Sequence, residues 1–527
     1  MIASEFRCLR ARAGLGDQTQ PGARLGMNAL ASGSVLVWPL RWLFSRGGTL
    51  KQRAARGGAW LLLGEAANRS ASLLKLAILG RLLSPTDFGL MGIGLVVFQW
   101  LNYFTEIGVD AALIHEPGEI RPYLNTAWTI QILRSLAVGL ALICGASFAA
   151  HFFKTPAAAP VIRATAAAIL LYGLTNPAVV VLRKELYFRK DVSWRLTGVL
   201  AGLFTGVITA FVLRNVWALV LSSVAAVAAQ TITSYWVQPY RPGLRLDWPL
   251  ARKLMRFGKW MLASNVLVFF ELQLDSVLVG ALLGATTLGL YQMACQVAML
   301  PAAQIALLVC GVMFPALSKV QDPETLRRVF LSTLQVLSSV VVPLACFLAV
   351  FADPLIQILL GPKWISISDS VHVLAWAGAA KALGAGATAL FLAMGIPRLT
   401  VNASAVKLAV FGCLVYPLLA SLGMRGVAAA VAVSSFAALV YQLFRVRRLV
   451  NVPTSQVVAV FKPALLGCVP FVAARLLNYP SASPASYAAV GAAIAAYFAL
   501  LYAVMRPHFH VFRTVPPQLE MEEAFLR

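Results

Sequence analysis

The 527-residue sequence carries little charge. Aspartate, glutamate, lysine and arginine together make up 12% of it, whereas an average soluble domain has about 25%. Hydrophobic residues make up 60%, and the mean hydropathy is +0.78. This composition excludes an ordinary soluble fold and predicts a protein embedded in lipid.

Local patterns for catalysis and metal binding are also missing. The seven cysteines show no C-x-x-C spacing, and six of them fall in apolar stretches, so neither a zinc site nor a disulfide framework is indicated. No HExxH, GxSxG, P-loop or EF-hand pattern occurs in the sequence. We therefore expect a protein that is not an enzyme and that holds no cofactor or metal.

What the chain does contain is a succession of apolar runs. A bilayer core about 30 Å thick needs roughly 20 apolar residues for each helix that crosses it. Divided at charged residues, prolines and glycines, the runs predict about fourteen transmembrane helices, at residues 57–81, 88–112, 123–150, 160–182, 196–213, 216–238, 258–282, 288–314, 329–351, 367–394, 400–420, 427–444, 463–480 and 486–505.

Basic residues outnumber acidic ones by 44 to 20, which gives a net charge of +24. Most of them fall in alternate loops between the predicted helices, as the positive-inside rule requires of cytoplasmic segments. The opposite loops hold only Arg81, Lys154, Arg163, Arg214, Lys363 and Arg425. The excess therefore predicts a multi-pass membrane protein with both termini in the cytoplasm, and it requires no nucleic-acid partner.

The sequence contains an internal repeat, because residues 58–90 align without gaps on residues 258–290. Among the matches, Trp60, Gly80, Thr86 and Gly89 recur as Trp260, Gly280, Thr286 and Gly289. Six predicted helices separate the copies, so both enter the membrane from the same side and the repeat is parallel. Transporters with such repeats hold their substrate between the two halves, near the middle of the membrane.

The predicted fold is an all-α membrane protein with two parallel six-helix lobes. Residues 57–238 form the N-lobe with helices one to six, and residues 258–448 form the C-lobe with helices seven to twelve. A cytoplasmic linker joins them at 239–257. A basic cytoplasmic segment, partly disordered or interfacial, precedes the lobes at 1–56; two further helices follow at 449–505, and a cytoplasmic tail at 506–527.

Ionisable residues inside predicted helices are candidates for function, because each costs about 2.5–3.5 kcal/mol to insert at the membrane centre. With one asparagine they define the candidate substrate cavity, which consists of Glu65, Asn68, Arg69, Lys75, Arg134, Glu271, Asp275, Lys381 and Lys407. Helix two adds a polar stripe suited to a water-filled cavity, with Gln99, Asn102, Tyr103, Glu106 and Asp110. For each lysine, the alternative is a side chain that extends to the membrane interface.

The repeat relates two of these charges directly, since an offset of 200 residues makes Lys75 the equivalent of Asp275. Opposite charges then lie at matching depths on helices one and seven. We expect a contact or a shared cavity between them. It is either a gate that opens during transport or a static salt bridge that holds the lobes in register.

Several short motifs resemble those of a known family. They are residues 80–89 (GRLLSPTDFG), 106–114 (EIGVDAALI), 288–291 (LGLY), 314–318 (FPALS), 352–354 (ADP) and 361–364 (GPKW). In this order they are similar to the polysaccharide transporter branch of the multidrug/oligosaccharidyl-lipid/polysaccharide exporter superfamily, the Wzx-type oligosaccharide flippases. The resemblance covers about residues 57–448. The family has no universal catalytic motif, so the candidate cavity residues rest on their charge and position alone.

The resemblance implies that the chain flips an oligosaccharide linked to undecaprenyl diphosphate across the inner membrane, for lipopolysaccharide, capsule or exopolysaccharide assembly. It also implies alternating access of the two lobes, coupling to H⁺ or Na⁺, and polysaccharide polymerase and chain-length proteins as partners. Intramembrane cations suit a diphosphate. Two transport alternatives remain, a multidrug exporter and a peptidoglycan-precursor flippase. A membrane glycan polymerase or ligase is disfavoured, because the external loops are short.

Overall fold

A computed structural model describes residues 50–116, 118–185, 187–319 and 322–478, with four single residues, 491, 495, 497 and 498, near the C-terminus. Within these residues, ten helices are long and apolar enough to cross a membrane, or up to twelve if two bent pairs each count as one span. The predicted segment up to residue 49, most of the predicted fourteenth helix and the tail at 506–527 lie outside the described residues. The all-helical membrane fold is confirmed, while the count of fourteen stays a prediction.

Thirteen long helices of the described chain correspond in order to the first thirteen predicted spans. We label them α1 to α13: Leu50–Leu82, Pro85–Thr105, Arg121–Phe152, Ala158–Gly173, Phe188–Leu213, Trp217–Val237, Trp248–Leu283, Ala285–Lys319, Pro323–Val350, Ser368–Ala393, Arg398–Leu422, Met424–Leu449 and Lys462–Asn478. Helix α7 begins ten residues before its predicted start, so the second half of the predicted linker is helical. Asp247 explains this start, because its side chain accepts a hydrogen bond from the backbone N–H of Leu250.

The corner between α1 and α2 is fixed by local sequence. Ser84 and Asp87 form a capping box, in which the Ser84 side chain accepts from the Asp87 N–H and the Asp87 carboxylate accepts from the Ser84 N–H. Pro85 occupies the first turn, where its missing N–H is not needed. The start of α2 is therefore determined by residues 84–87.

Helix α4 is broken within the N-lobe. It ends at Gly173, and after a bend of 68° the chain continues as a 3₁₀ turn and a short helix to Lys184. Side chains satisfy the exposed carbonyls at the break: Gln131 donates to the oxygens of Tyr172 and Gly173, and Tyr235 donates to that of Leu174 at 2.6 Å. Irregular backbone at membrane depth is stable only when its polar groups are satisfied in this way.

The same pattern of helix neighbours occurs in both lobes. In the N-lobe, α4 packs against α2, α3 and α6, and α5 packs against α6. In the C-lobe, α10 packs against α8, α9 and α12, and α11 packs against α12. Helix α10 is the most deeply buried of the membrane spans, and its many alanines and glycines allow this close packing. Helix α7 also contacts α2, and thus touches both lobes.

Repeat-related residues meet where α2 and α8 begin. The hydroxyl oxygens of Thr86 and Thr286 are 3.0 Å apart. A Cβ atom added to Gly89 would collide with the carbonyl of Ala285, and one added to Gly289 would collide with the carbonyl of Pro85. Contacts between residues 200 apart are expected where a two-fold axis passes between the copies. The parallel arrangement of the repeat stays a prediction.

The Gly89 contact leads to a stability prediction. We expect Gly89→Ala to lower the thermal midpoint of the purified protein by several degrees, because overpacking costs about 1–3 kcal/mol and the obstacle is backbone. Gly145→Ala is the matched control, since an added Cβ there meets no atom within 4 Å. An equal midpoint for the two variants would show that α2 and α8 do not approach this closely.

Candidate functional site

The C-lobe brings four of the predicted cavity residues together. Lys407 of α11 lies 2.9 Å from the carboxylate of Glu271 on α7, and Ser404 donates to the same carboxylate at 2.8 Å. The Lys407 residue is only 7% exposed. This ion pair joins α7 to α11.

Asp275 and Lys381 line the same cavity as Glu271 and Lys407. Asp275 accepts a hydrogen bond from the hydroxyl of Tyr291 at 2.8 Å, and Lys381 contacts the Met299 sulfur at 3.6 Å. The cavity measures about 20 Å³, which is enough for roughly one water molecule. We name these four charged residues the C-lobe cluster. In this conformation it holds balanced charge and no space for a sugar.

A second cluster lies in the N-lobe around Arg134 of α3. Its guanidinium is 2.7 Å from the carboxylate of Glu106, and it also donates to the side chain of Asn102. Glu106 lies just after α2, and the chain turns there because Gly108 adopts a left-handed conformation with φ of 64°. The structure thus joins the predicted cation Arg134 to two residues of the predicted polar stripe.

The candidate residues of α1 are arranged differently from those of the clusters. Arg69 pairs with Glu65 on the same helix at 2.6 Å, and both side chains are about 40% exposed. Glu65 and Asn68 line a small cavity beside Val192 and Arg195 of α5. These residues therefore lie at the contact of α1 with α5, within the N-lobe.

The predicted contact between Lys75 and Asp275 is wrong for this conformation. Of the ion pairs within 4 Å among the described residues, none joins Lys75 to Asp275, and Lys75 does not line the cavity beside Asp275. Asp275 uses Tyr291 and the N–H of Ser276 instead. The repeat places Lys75 and Asp275 at equivalent positions, but each lies within its own lobe.

The intramembrane cations divide into two classes. Arg69, Arg134 and Lys407 each have a carboxylate partner. Lys75 and Lys381 have none within 4 Å among the residues that the structure describes. An unpaired cation in a membrane helix is costly, so these two lysines are the cations best able to attract an anionic group.

Sequence reasoning missed Ser404 and Tyr291. Ser404 precedes Lys407 by three residues and so shares its helix face, a spacing that could have revealed it. Tyr291 ends the LGLY motif, and it is completely buried. Neither residue is charged, which is why a search for ionisable groups passed over them.

Contacts at the two ends of the structure join residues that the sequence assigns to the same side of the membrane. Lys253, predicted to be cytoplasmic, pairs with Glu116 at 2.9 Å, and this contact lowers the pKa of the Glu116 carboxyl. Lys363 contacts the backbone of Arg81, and Arg425 pairs with Asp369. Each of these contacts joins residues predicted on the same side of the membrane.

The Glu271–Lys407 pair gives a second stability prediction. Removing one partner of a buried ion pair leaves the other charge uncompensated, at a cost of about 3 kcal/mol or more. We expect Glu271→Gln and Lys407→Met each to lower the thermal midpoint of the purified protein. The double variant should be destabilised by clearly less than the sum of the two changes, and additive effects would contradict the pairing.

Comparison with known proteins gives a family. The sequence model of a family described as polysaccharide biosynthesis protein matches residues 78–369, more than half of the chain. The lipopolysaccharide biosynthesis protein WzxC of Escherichia coli (strain K12) is 24% identical over 343 residues, 64% of this chain and 69% of that protein. The succinoglycan biosynthesis transport protein ExoT of Rhizobium meliloti (strain 1021) is 25% identical over 310 residues, 59% of this chain and 63% of ExoT.

Solved structures are similar in fold. A lipid II flippase, MurJ, in an inward closed conformation has a TM-score of 0.72 at 13% identity, over 85% of this chain and 100% of that one. An inward-facing multidrug resistance transporter of the MATE family has a TM-score of 0.57 at 14% identity, over 73% and 94%. The chain shares the fold of these two transporters, and it belongs to the polysaccharide biosynthesis protein family, as its motifs predicted.

Proposed function

We propose that the chain flips an oligosaccharide linked to undecaprenyl diphosphate from the cytoplasmic to the outer leaflet of the bacterial inner membrane. The product feeds lipopolysaccharide, capsule or exopolysaccharide assembly. The observation that carries the proposal is that two lysines, Lys75 of α1 and Lys381 of α10, have no carboxylate partner within 4 Å among the described residues. The family supports it, because similar proteins are named for polysaccharide biosynthesis and transport. A diphosphate crossing the membrane requires such donors.

The proposed mechanism is alternating access of two parallel lobes, in a chain of fourteen helices with both termini in the cytoplasm. The lobes meet at the end that carries Thr86 and Thr286. In the proposed orientation this is the outer end, because the predicted external residues Arg81 and Lys363 lie there. The outer end is then closed in this conformation, and at the cytoplasmic end the Lys253–Glu116 pair also joins α7 to the N-lobe.

The proposed energy source is a gradient of H⁺ or Na⁺, with the carboxylates of Glu271 and Asp275 as the groups that bind the ion. Both face the water-sized cavity of the C-lobe cluster. Protonation of Glu271 would remove one charge of the pair that joins α7 to α11. The packing of α7, which contacts α2 of the N-lobe, would then depend on the bound ion. Polymerase and chain-length proteins are the proposed partners downstream.

Deleting the gene tests the substrate class. We expect a diphosphate-linked glycan to accumulate on the inner leaflet, because its synthesis continues while its export stops. Mass spectrometry of extracted lipids identifies the glycan. Accumulation of lipid II would instead favour the peptidoglycan-precursor alternative, and altered drug sensitivity without any glycolipid would favour the multidrug exporter.

Complementation of the deletion strain tests Lys75. We expect Lys75→Met to lower glycolipid export roughly tenfold, because a hydrogen bond to a charged group contributes about 1.5–3 kcal/mol. Lys75→Arg should retain most of the activity, since it keeps the charge. The control is Lys154→Met, which removes an exposed lysine from the loop between α3 and α4. Normal export by the Lys75→Met variant at wild-type protein levels would exclude this role.

A further inference from the structure

The contacts that close the Thr86 end are not the same on its two sides. The repeat places Gly80 of α1 and Gly280 of α7 at equivalent positions, and each is covered by a loop of the opposite lobe. Gly80 lies against Leu360, and Gly280 lies against Phe153. Around this pair of equivalent contacts, the C-lobe loop forms many more interactions than the N-lobe loop.

The C-lobe loop caps the end of α1 with hydrogen bonds. The Trp364 indole N–H donates to the Gly80 carbonyl at 2.7 Å, and the Lys363 ammonium donates to the carbonyls of Arg81 and Leu83. The Arg81 guanidinium donates in return to the Ile358 carbonyl of the C-lobe. The last carbonyls of a helix have no partner within it, so those of α1 are satisfied here by the other lobe.

An aromatic contact seals the same side. The ring of Trp364 meets the ring of Phe88 edge to face, with centroids 5.3 Å apart. Trp364 is completely buried. At the equivalent place the N-lobe presents Phe153, which packs on Gly280 through its ring, while the neighbouring Lys154 is exposed. Among the described contacts, hydrogen bonds from the opposite lobe therefore cap the helix on the Gly80 side, whereas an aromatic ring covers the Gly280 side.

We propose that residues 361–364 form a one-sided latch that holds the two lobes together at the Thr86 end. The latch must release before this end opens, whereas the Gly280 side parts by separating apolar surfaces. The inference rests on the proposed alternating access, because rigid lobes would need no latch. It assigns a role to the GPKW motif, which the candidate cavity leaves unexplained.

The test measures how often the lobes meet, independently of substrate. Thr86→Cys and Thr286→Cys are introduced together in the full-length protein in membranes, because their hydroxyls are 3.0 Å apart and cysteines there can reach disulfide geometry. Copper phenanthroline with oxygen oxidises the two thiols to a disulfide. Mass spectrometry quantifies the linked peptides, which separates this bond from any formed by the natural cysteines.

Lys363→Met and Trp364→Phe are the test variants, because each removes donors and keeps most of the side-chain volume. We expect either change to slow the initial cross-linking rate by about threefold or more, the effect of losing a hydrogen bond. Lys154→Met, in the equivalent loop, should leave the rate unchanged. The thermal midpoint of each variant shows whether it is folded.

Two results would overturn the latch. One is an unchanged cross-linking rate in folded Lys363→Met and Trp364→Phe proteins, which would make the loop static packing. The other is an equal effect of Lys154→Met, which would indicate a general loss of surface charge. The cross-linking experiment tests the latch, and the gene deletion separately tests the proposed function. Glycolipid accumulation together with unchanged cross-linking would support the proposed function and exclude the latch.

Discussion

Lipid offers no hydrogen bonds and little solvation for charge, and this constraint governs most of the structure. At the break in α4, Gln131 and Tyr235 donate to the carbonyls that the bend exposes. Arg134 and Lys407 lie inside the protein because Glu106 and Glu271 neutralise them. The end of α1 obeys the same rule, but its donors come from the opposite lobe. The carbonyls at the end of α1 are therefore satisfied by these donors only while the two lobes are in contact there.

The contact between the lobes follows from small residues at equivalent positions. Gly89 and Gly289 let the first turns of α2 and α8 approach through their backbones, and Thr86 and Thr286 meet beside them. Backbone approaches of this kind depend on the absence of side chains. In a contact between a residue and its own repeat partner, the same residue type at two equivalent positions supplies both sides. Such a contact lies on the two-fold axis, and both lobes contribute equally to it.

Much of the fold was predictable from the sequence, because span length and loop charge are properties of single segments. The positions of α1 to α13 follow the apolar runs, whereas the one contact predicted from the offset of 200 residues, Lys75 with Asp275, is absent. The failure with Lys75 and Asp275 has a physical reason. Equivalence under a two-fold axis fixes matching positions, whereas contact also requires both residues to lie near that axis, as Thr86 and Thr286 do. The partners of Arg134 and Lys407 depend on how each helix is rotated about its own axis. Span length and loop charge do not determine that rotation.

Paired and unpaired cations suit different steps of transport. A cation with a carboxylate partner has little attraction left for a diphosphate, so the pairs at Arg134 and Lys407 chiefly position helices. Lys75 and Lys381 have no carboxylate within 4 Å among the described residues. The C-lobe cluster contains both classes, because Lys381 lies in the same cavity as the Glu271–Lys407 pair. An anion that reached Lys381 would therefore meet Glu271 and Asp275, and neutralising a carboxylate with a bound cation would remove that repulsion. If the chain has the proposed function, this proximity gives an electrostatic reason to couple a bound cation to the anionic lipid.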